Sequence, residues 1–128
     1  MILGFKSAFV PAVVAGTKPH TIRRGTRWRV GMSIQFYQNA RQKTMAKIRP
    51  NAVATVVQKI EVTRPERFLG PPREPVILID DRQLTPLECQ ELARRDGFDD
   101  LDELLRFLSN GYGFPFTGQL IGWTDLRY

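Results

Sequence analysis

Apolar and polar residues alternate over positions 29–37, with Val30, Met32, Ile34 and Phe36 on one side and Arg29, Ser33 and Gln35 on the other. A two-residue period of this kind predicts a half-buried strand. Over 52–62 the β-branched residues continue the alternation, Ala54, Val56, Gln58 and Ile60 opposing Val53, Thr55, Val57 and Lys59. This run predicts one long central strand, or a strand with a bulge. Shorter apolar runs at 2–5, 76–79 and 118–123 predict three more strands. The period lengthens elsewhere. Residues 7–15 place Phe9, Val10, Val13 and Val14 on one helical face, with Gly16 as the stop. Pro11 fits only the first turn, where a missing N–H leaves no bond unmade. A second helix announces itself with Thr85 at the N-cap, Pro86 at the first position and Glu88 placed to close a capping box. Leu87, Cys89 and Leu92 are expected to face inward and Gly97 to end it. A third is capped by Asp99 or Asp100, carries the stripe Leu101, Leu104, Leu105 and Leu108, and stops at Gly111. Between these elements, 17–27 reads as a loop or irregular strand and 39–49 as a basic connection. Residues 63–75, with Pro65, Gly70, Pro71, Pro72 and Pro75, read as a loop, the one expected to be mobile.

Four or five strands at irregular spacing, with helices between them, do not fit a doubly wound parallel sheet. They predict an α+β fold, a small and mostly antiparallel barrel decorated by about three helices, forming a single domain over 1–128. An apolar fraction of 42% and a charged fraction of 25% suit a globular domain with an ordinary core. One cysteine, Cys89, permits no internal disulfide, and with His20 the only histidine the pair cannot fill a zinc shell. No metal site or cofactor is expected. The longest apolar runs fall well short of a membrane span, and Met1 leads into Ile2 and Leu3 without a basic leader, so the expectation is a cytosolic protein with no membrane partner.

Charge sharpens the picture. Residues 1–60 hold eleven Lys/Arg and no acid, whereas the rest of the chain holds eight Lys/Arg and thirteen Asp/Glu, so the two parts carry +11 and −5. An unbroken run of eleven positive charges marks a surface suited to phosphates, and favours a polyanionic partner over mere solubility.

The most suggestive segment is 16–25. An extended chain there puts Lys18, His20 and Ile22 on one face and Thr21 and Arg23 on the other. A turn at Pro19 would break that alternation and let Lys18 and Thr21 converge. An ammonium, a hydroxyl and a guanidinium at this spacing suit a phosphate, a carbonyl or a base edge. The competing account is a solvated basic hairpin. His20 reads as a loop residue beside Lys18. Most aromatic residues, Trp28, Phe98 and Trp123 among them, are expected in the core, while Tyr112, Phe114 and Phe116 lie in a Gly/Pro-rich stretch from which one could stack on a base.

Three groups of residues together resemble the ASCH domain family of the PUA-like barrels. They are Gly16-x-Lys18-x-x-Thr21-x-Arg23, then Trp28-x-Val30-Gly31, then Leu84-Thr85 through Arg94-Arg95-Asp96-Gly97-Phe98 to Gly118-x-Leu120-Ile121-x-Trp123, in the family's order over nearly the whole chain. The resemblance implies a PUA-like β-barrel with a cleft lined by the Lys-x-x-Thr-x-Arg segment. It implies RNA binding, RNA cleavage in some members, and in a bacterial branch hydrolysis of acetylated cytidine by a lysine, a threonine and a glutamate. Lys18 and Thr21 match the first two, and Asp96 falls where the glutamate would be. Asp96 is one methylene shorter, which moves the carboxylate by about 1 Å, a distance that matters to reacting geometry. Met32 stands where an acid commonly follows Val-Gly.

Two readings follow. The first is a module that binds RNA or a nucleotide through a basic cleft of Lys18, His20, Arg23, Arg24, Arg27 and Arg29. The second is an enzyme, an amidohydrolase on a modified nucleoside such as acetylated cytidine or else a ribonuclease. In it Lys18, held among cations, takes the Thr21 proton, and Asp96 orients Lys18 or activates water.

Overall fold

The computed structural model describes residues 1–64 and 74–128, so positions 65–73 of the expected proline-rich loop lie outside the described residues. Among the described residues the architecture is α+β, with three helices and eight strands in two sheets. Hydrogen bonding among the described residues does not close these sheets into a barrel. In the three-stranded sheet, β1 (Ile2–Phe5) runs parallel to β3 (Ser33–Gln38), and β3 runs antiparallel to β4 (Ala46–Val53). The five-stranded sheet, antiparallel throughout, has the order β2 (His20–Arg24), β8 (Phe116–Gly122), β5 (Val56–Thr63), β6 (Val76–Ile79) and β7 (Arg82–Gln83).

The long strand expected over 52–62 is two strands. The Ala54 N–H donates to the Met32 carbonyl at 2.8 Å, in the first sheet, while the Thr55 N–H donates to the Gly122 carbonyl at 2.9 Å, in the second. The chain therefore changes sheets between adjacent residues without a turn. Alternation persists through the change, with Ala54, Val56, Gln58 and Ile60 all buried, which is why the sequence pattern shows no break.

Other boundaries shift for local reasons. The strand expected from 29 begins at Ser33, because Gly31 takes a φ of +95° and leaves Val30 exposed. The expected basic connection becomes β4 from Ala46 onward; as an edge strand it buries no side chain fully and so shows no alternation. Pro50 is tolerated there because an edge strand has one unpaired side. The first helix is a 3₁₀ turn over Ser7–Phe9 continued by α1 (Val10–Ala15), ended by Gly16 at φ +83°. So short a helix buries Val13 alone and leaves Val14 in solvent, contrary to expectation.

Helix α2 (Pro86–Arg95) carries the full capping box between Thr85 and Glu88, and α3 (Leu101–Gly111) is capped by Asp100. In α2, Cys89 and Leu92 are buried, but Leu87, in the first turn, is exposed. The core has two parts. One, between the five-stranded sheet and the helices α2 and α3, gathers Ile60, Val62, Leu92, Leu104, Leu108 and Leu120. The other, around the three-stranded sheet and α1, gathers Leu3, Phe5, Val13, Trp28, Phe36 and Ile121. Neighbours Leu120 and Ile121 belong to different parts, so β8 is packed on both faces, and Phe9 touches both. No helix among the described residues is long and apolar enough to cross a membrane.

Candidate functional site

Strand β2 carries the site because its partner lets it approach closely. Arg23 pairs with Gln119 and Arg24 with Gly118. A Cβ on Gly118 would stand 2.2 Å from the Arg23 carbonyl oxygen, so only glycine fits. Just before the strand, the Lys18 N–H donates to the Ala12 carbonyl at 3.1 Å and the Trp123 N–H to the Pro19 carbonyl at 3.3 Å. No turn forms at Pro19; Lys18 and His20 instead lie on the same side and both reach Asp96, with Lys18 2% exposed.

Lys18 ends at the C-terminus of α2. Its Nζ donates to the Asp96 carbonyl at 2.5 Å and lies 3.0 Å from Asp96 Oδ1. An acid at a helix C-terminus opposes the helix dipole, and the buried ammonium resolves that conflict by meeting the carbonyl and the carboxylate together. Gly97, at φ +100°, lets the chain leave the helix here; a Cβ on it would meet the Phe9 ring at 2.8 Å. Burial pushes the Lys18 amine below its ordinary 10.5, and the opposing pull of Asp96 does not restore it. The Phe9 ring centroid lies 5.2 Å from Nζ.

His20 is a strand residue, not the loop residue expected. At 1% exposure it is also withdrawn from any surface that could meet nucleic acid. Its Nδ1 lies 2.9 Å from Asp96 Oδ1 and its Nε2 lies 2.8 Å from the Tyr128 hydroxyl. The polar chain Lys18–Asp96–His20–Tyr128 leaves out the Thr21 hydroxyl. Thr21 nevertheless lines, with Lys18, Arg23 and Asp96, a pocket of about 190 Å³ whose remaining wall is mostly apolar, including Phe9, Phe98, Phe107 and Tyr112. Phe114 and Phe116 pack toward the core instead.

A second, wider depression of about 480 Å³ adjoins the first and is lined by Arg23, Arg24, Arg27, Arg41 and Tyr112 among others. Gly4, Arg23 and Tyr112 belong to both. Arg23 Nη2 donates to the Gly4 carbonyl at 2.6 Å, while its buried Nε has no partner among the described residues. The Arg24 guanidinium lies 5.9 Å from the Tyr112 ring centroid. Arg29 lines neither depression; its guanidinium donates to the Thr26 and Trp28 carbonyls at 2.6 Å and 3.0 Å. Of the residues singled out by sequence, the structure thus gathers Lys18, Thr21, Arg23 and Asp96 in the pocket and Arg23, Arg24 and Arg27 in the cleft. It adds Phe9 and Phe107 to the pocket and Arg41 to the cleft, for which the sequence carried no site signal, and ties Tyr128 to His20 behind them.

Chemically, the pocket offers an amine, a hydroxyl and a carboxylate behind aromatic walls, and the cleft offers guanidinium groups to an anion. Among the described residues no cluster of three His, Cys, Asp or Glu side chains could hold a metal ion. Compared with family models, curated proteins and solved structures, the chain matches none.

Proposed function

We propose that this protein is an ASCH-like, PUA-related domain that binds RNA or a nucleotide, taking one base into the Lys18 pocket and laying the attached phosphates along the arginine cleft. The observation that carries the reading is the shared wall of Gly4, Arg23 and Tyr112, which sets the aromatic pocket and the basic cleft side by side. Size supports it as well. Sites for drug-sized ligands span roughly 300–1,000 Å³, so about 190 Å³ suits a single base rather than a length of chain. The test is titration of a fluorescent single-stranded RNA at rising salt. Each phosphate contact should contribute a slope of about −0.7 in log affinity against log salt. Affinity independent of salt, or no binding, contradicts the proposal.

A second reading is favoured by one observation, the buried Lys18 with its lowered amine pKa on the same wall as Thr21. In that reading the protein hydrolyses the acyl amide of a modified nucleoside such as acetylated cytidine. The unprotonated fraction of Lys18 takes the Thr21 proton, Thr21 Oγ1 bonds the acyl carbon, and the C–N bond breaks as the departing amine takes the proton back. Water then hydrolyses the acyl-threonine. Asp96 holds Lys18 in place. Deacetylation of acetylated cytidine, abolished by Thr21→Ala, is the expected result; no turnover, or turnover indifferent to Thr21→Ala, contradicts it.

A further inference from the structure

His20 and Tyr128 line neither the pocket nor the cleft, yet His20 is joined to Asp96 and Tyr128 to His20. Asp96 Oδ1 is an acceptor for two donors at once, Lys18 Nζ at 3.0 Å and His20 Nδ1 at 2.9 Å. A bond from Nδ1 to a carboxylate requires the proton on Nδ1. With that nitrogen protonated, the neutral ring offers Nε2 as a lone pair, and the Tyr128 hydroxyl at 2.8 Å is placed to donate to it. Tyr128 is itself held in register by its backbone rather than its hydroxyl. Gln58 Nε2 donates to its carbonyl at 2.8 Å, and its N–H donates to Gln58 Oε1 at 3.0 Å. Gln58 is buried, and its Nε2 also reaches Asp80 Oδ2 at 3.0 Å, so the clamp is anchored on β5. The Tyr128 and His20 rings meet edge to face at 5.4 Å.

We propose that Tyr128 and His20 are positioning residues for the pocket: the Tyr128 hydroxyl fixes the His20 tautomer, the imidazole fixes the Asp96 carboxylate, and the carboxylate aims the Lys18 amine at the ligand. With Lys18, His20 and Asp96 buried and joined by hydrogen bonds, the set holds one arrangement far better than its members would separately. The inference rests on the reading of the pocket as the ligand site. It also accounts for why His20, placed like a surface residue of a basic segment, is 1% exposed.

The chain has a single histidine, so its imidazole ¹⁵N spectrum is unambiguous. In the full protein without ligand, the spectrum should show Nδ1 protonated and Nε2 as an acceptor. Tyr128→Phe keeps the ring and both backbone bonds to Gln58. It should leave the amide spectrum nearly unchanged and lower the melting temperature by only a few degrees, while shifting the Nε2 signal and speeding exchange of the Lys18 ammonium protons about fivefold. His20→Asn, whose amide can take the place of Nδ1, should preserve the Lys18 signal. A wild-type spectrum with the proton on Nε2, or Tyr128→Phe with unaltered imidazole and Lys18 signals, overturns the relay. Affinity for cytidine monophosphate, measured alongside, should fall about fivefold in Tyr128→Phe. A wild-type protein that fails to bind this probe would remove the nucleotide reading, and the ligand-free spectra would still decide the relay.

Discussion

Lys18 holds its amine between the Asp96 carboxylate, the Asp96 carbonyl and the face of Phe9, almost wholly buried at the edge of the pocket. Removing the carboxylate should be expensive. Asp96→Asn is predicted to cost about 3–5 kcal/mol at neutral pH, because it strands a buried ammonium without its counter-charge. Urea unfolding measures the loss, which should shrink in alkaline solution as Lys18 gives up its proton. The wild type should show the matching pH dependence. With the folded pKa of Lys18 below its ordinary 10.5, the unfolded chain binds more protons in that window, so stability rises with pH. Tyr128 acts in the opposite sense above its ordinary 10.0, since burial raises its phenol pKa, so the Lys18 effect is read below that point. Relative to Lys18→Met, wild-type stability should climb as pH approaches 10; a flat difference would mean that Lys18 is not desolvated. Part of this site is legible in the sequence. The spacing of Lys18, Thr21 and Arg23 points to converging chemistry, whereas the contacts from Asp96 to His20 and from His20 to Tyr128 span 76 and 108 residues and leave no periodic trace.

At the scale of elements, legibility follows burial. β5 can be read because Val56, Gln58, Ile60 and Val62 are buried in strict alternation, and α2 because its cap uses side chains of fixed spacing. β4 cannot, since an edge strand without a fully buried position has no alternation to display. The sheet change at Ala54 and Thr55 is hidden for the opposite reason, its alternation being continuous across the break. The α2 cap supplies a prediction independent of ligand chemistry. The Thr85 hydroxyl accepts from the Glu88 N–H at 3.2 Å, and the Thr85 N–H donates to Glu88 Oε1 at 3.0 Å. Thr85→Ala should therefore cost about 1 kcal/mol in thermal or urea unfolding. RNA affinity should stay within about twofold, because the cap lies at the far end of the helix from Asp96. A large affinity loss would mean that the whole helix, and not its last turn, sets the pocket.

Across the whole molecule, the site joins parts of opposite charge. The basic part of the chain supplies β2 and its arginines, and the acidic part supplies Asp96 and Tyr112. Not all of the +11 converges, because Lys47 and Arg49 sit on β4, outside both depressions, and Arg29 folds back on its own loop. Net charge therefore does not locate the proposed polyanionic partner; the proposal places it at Arg23, shared by pocket and cleft and with an unpartnered buried Nε among the described residues. The most direct measurement is chemical-shift mapping of the ¹⁵N-labelled protein with a short single-stranded RNA. The account predicts that shifts concentrate on Thr21, Arg23, Phe98 and Tyr112 and on the cleft arginines Arg24, Arg27 and Arg41. Shifts centred on β4, or none at saturating RNA, would contradict it.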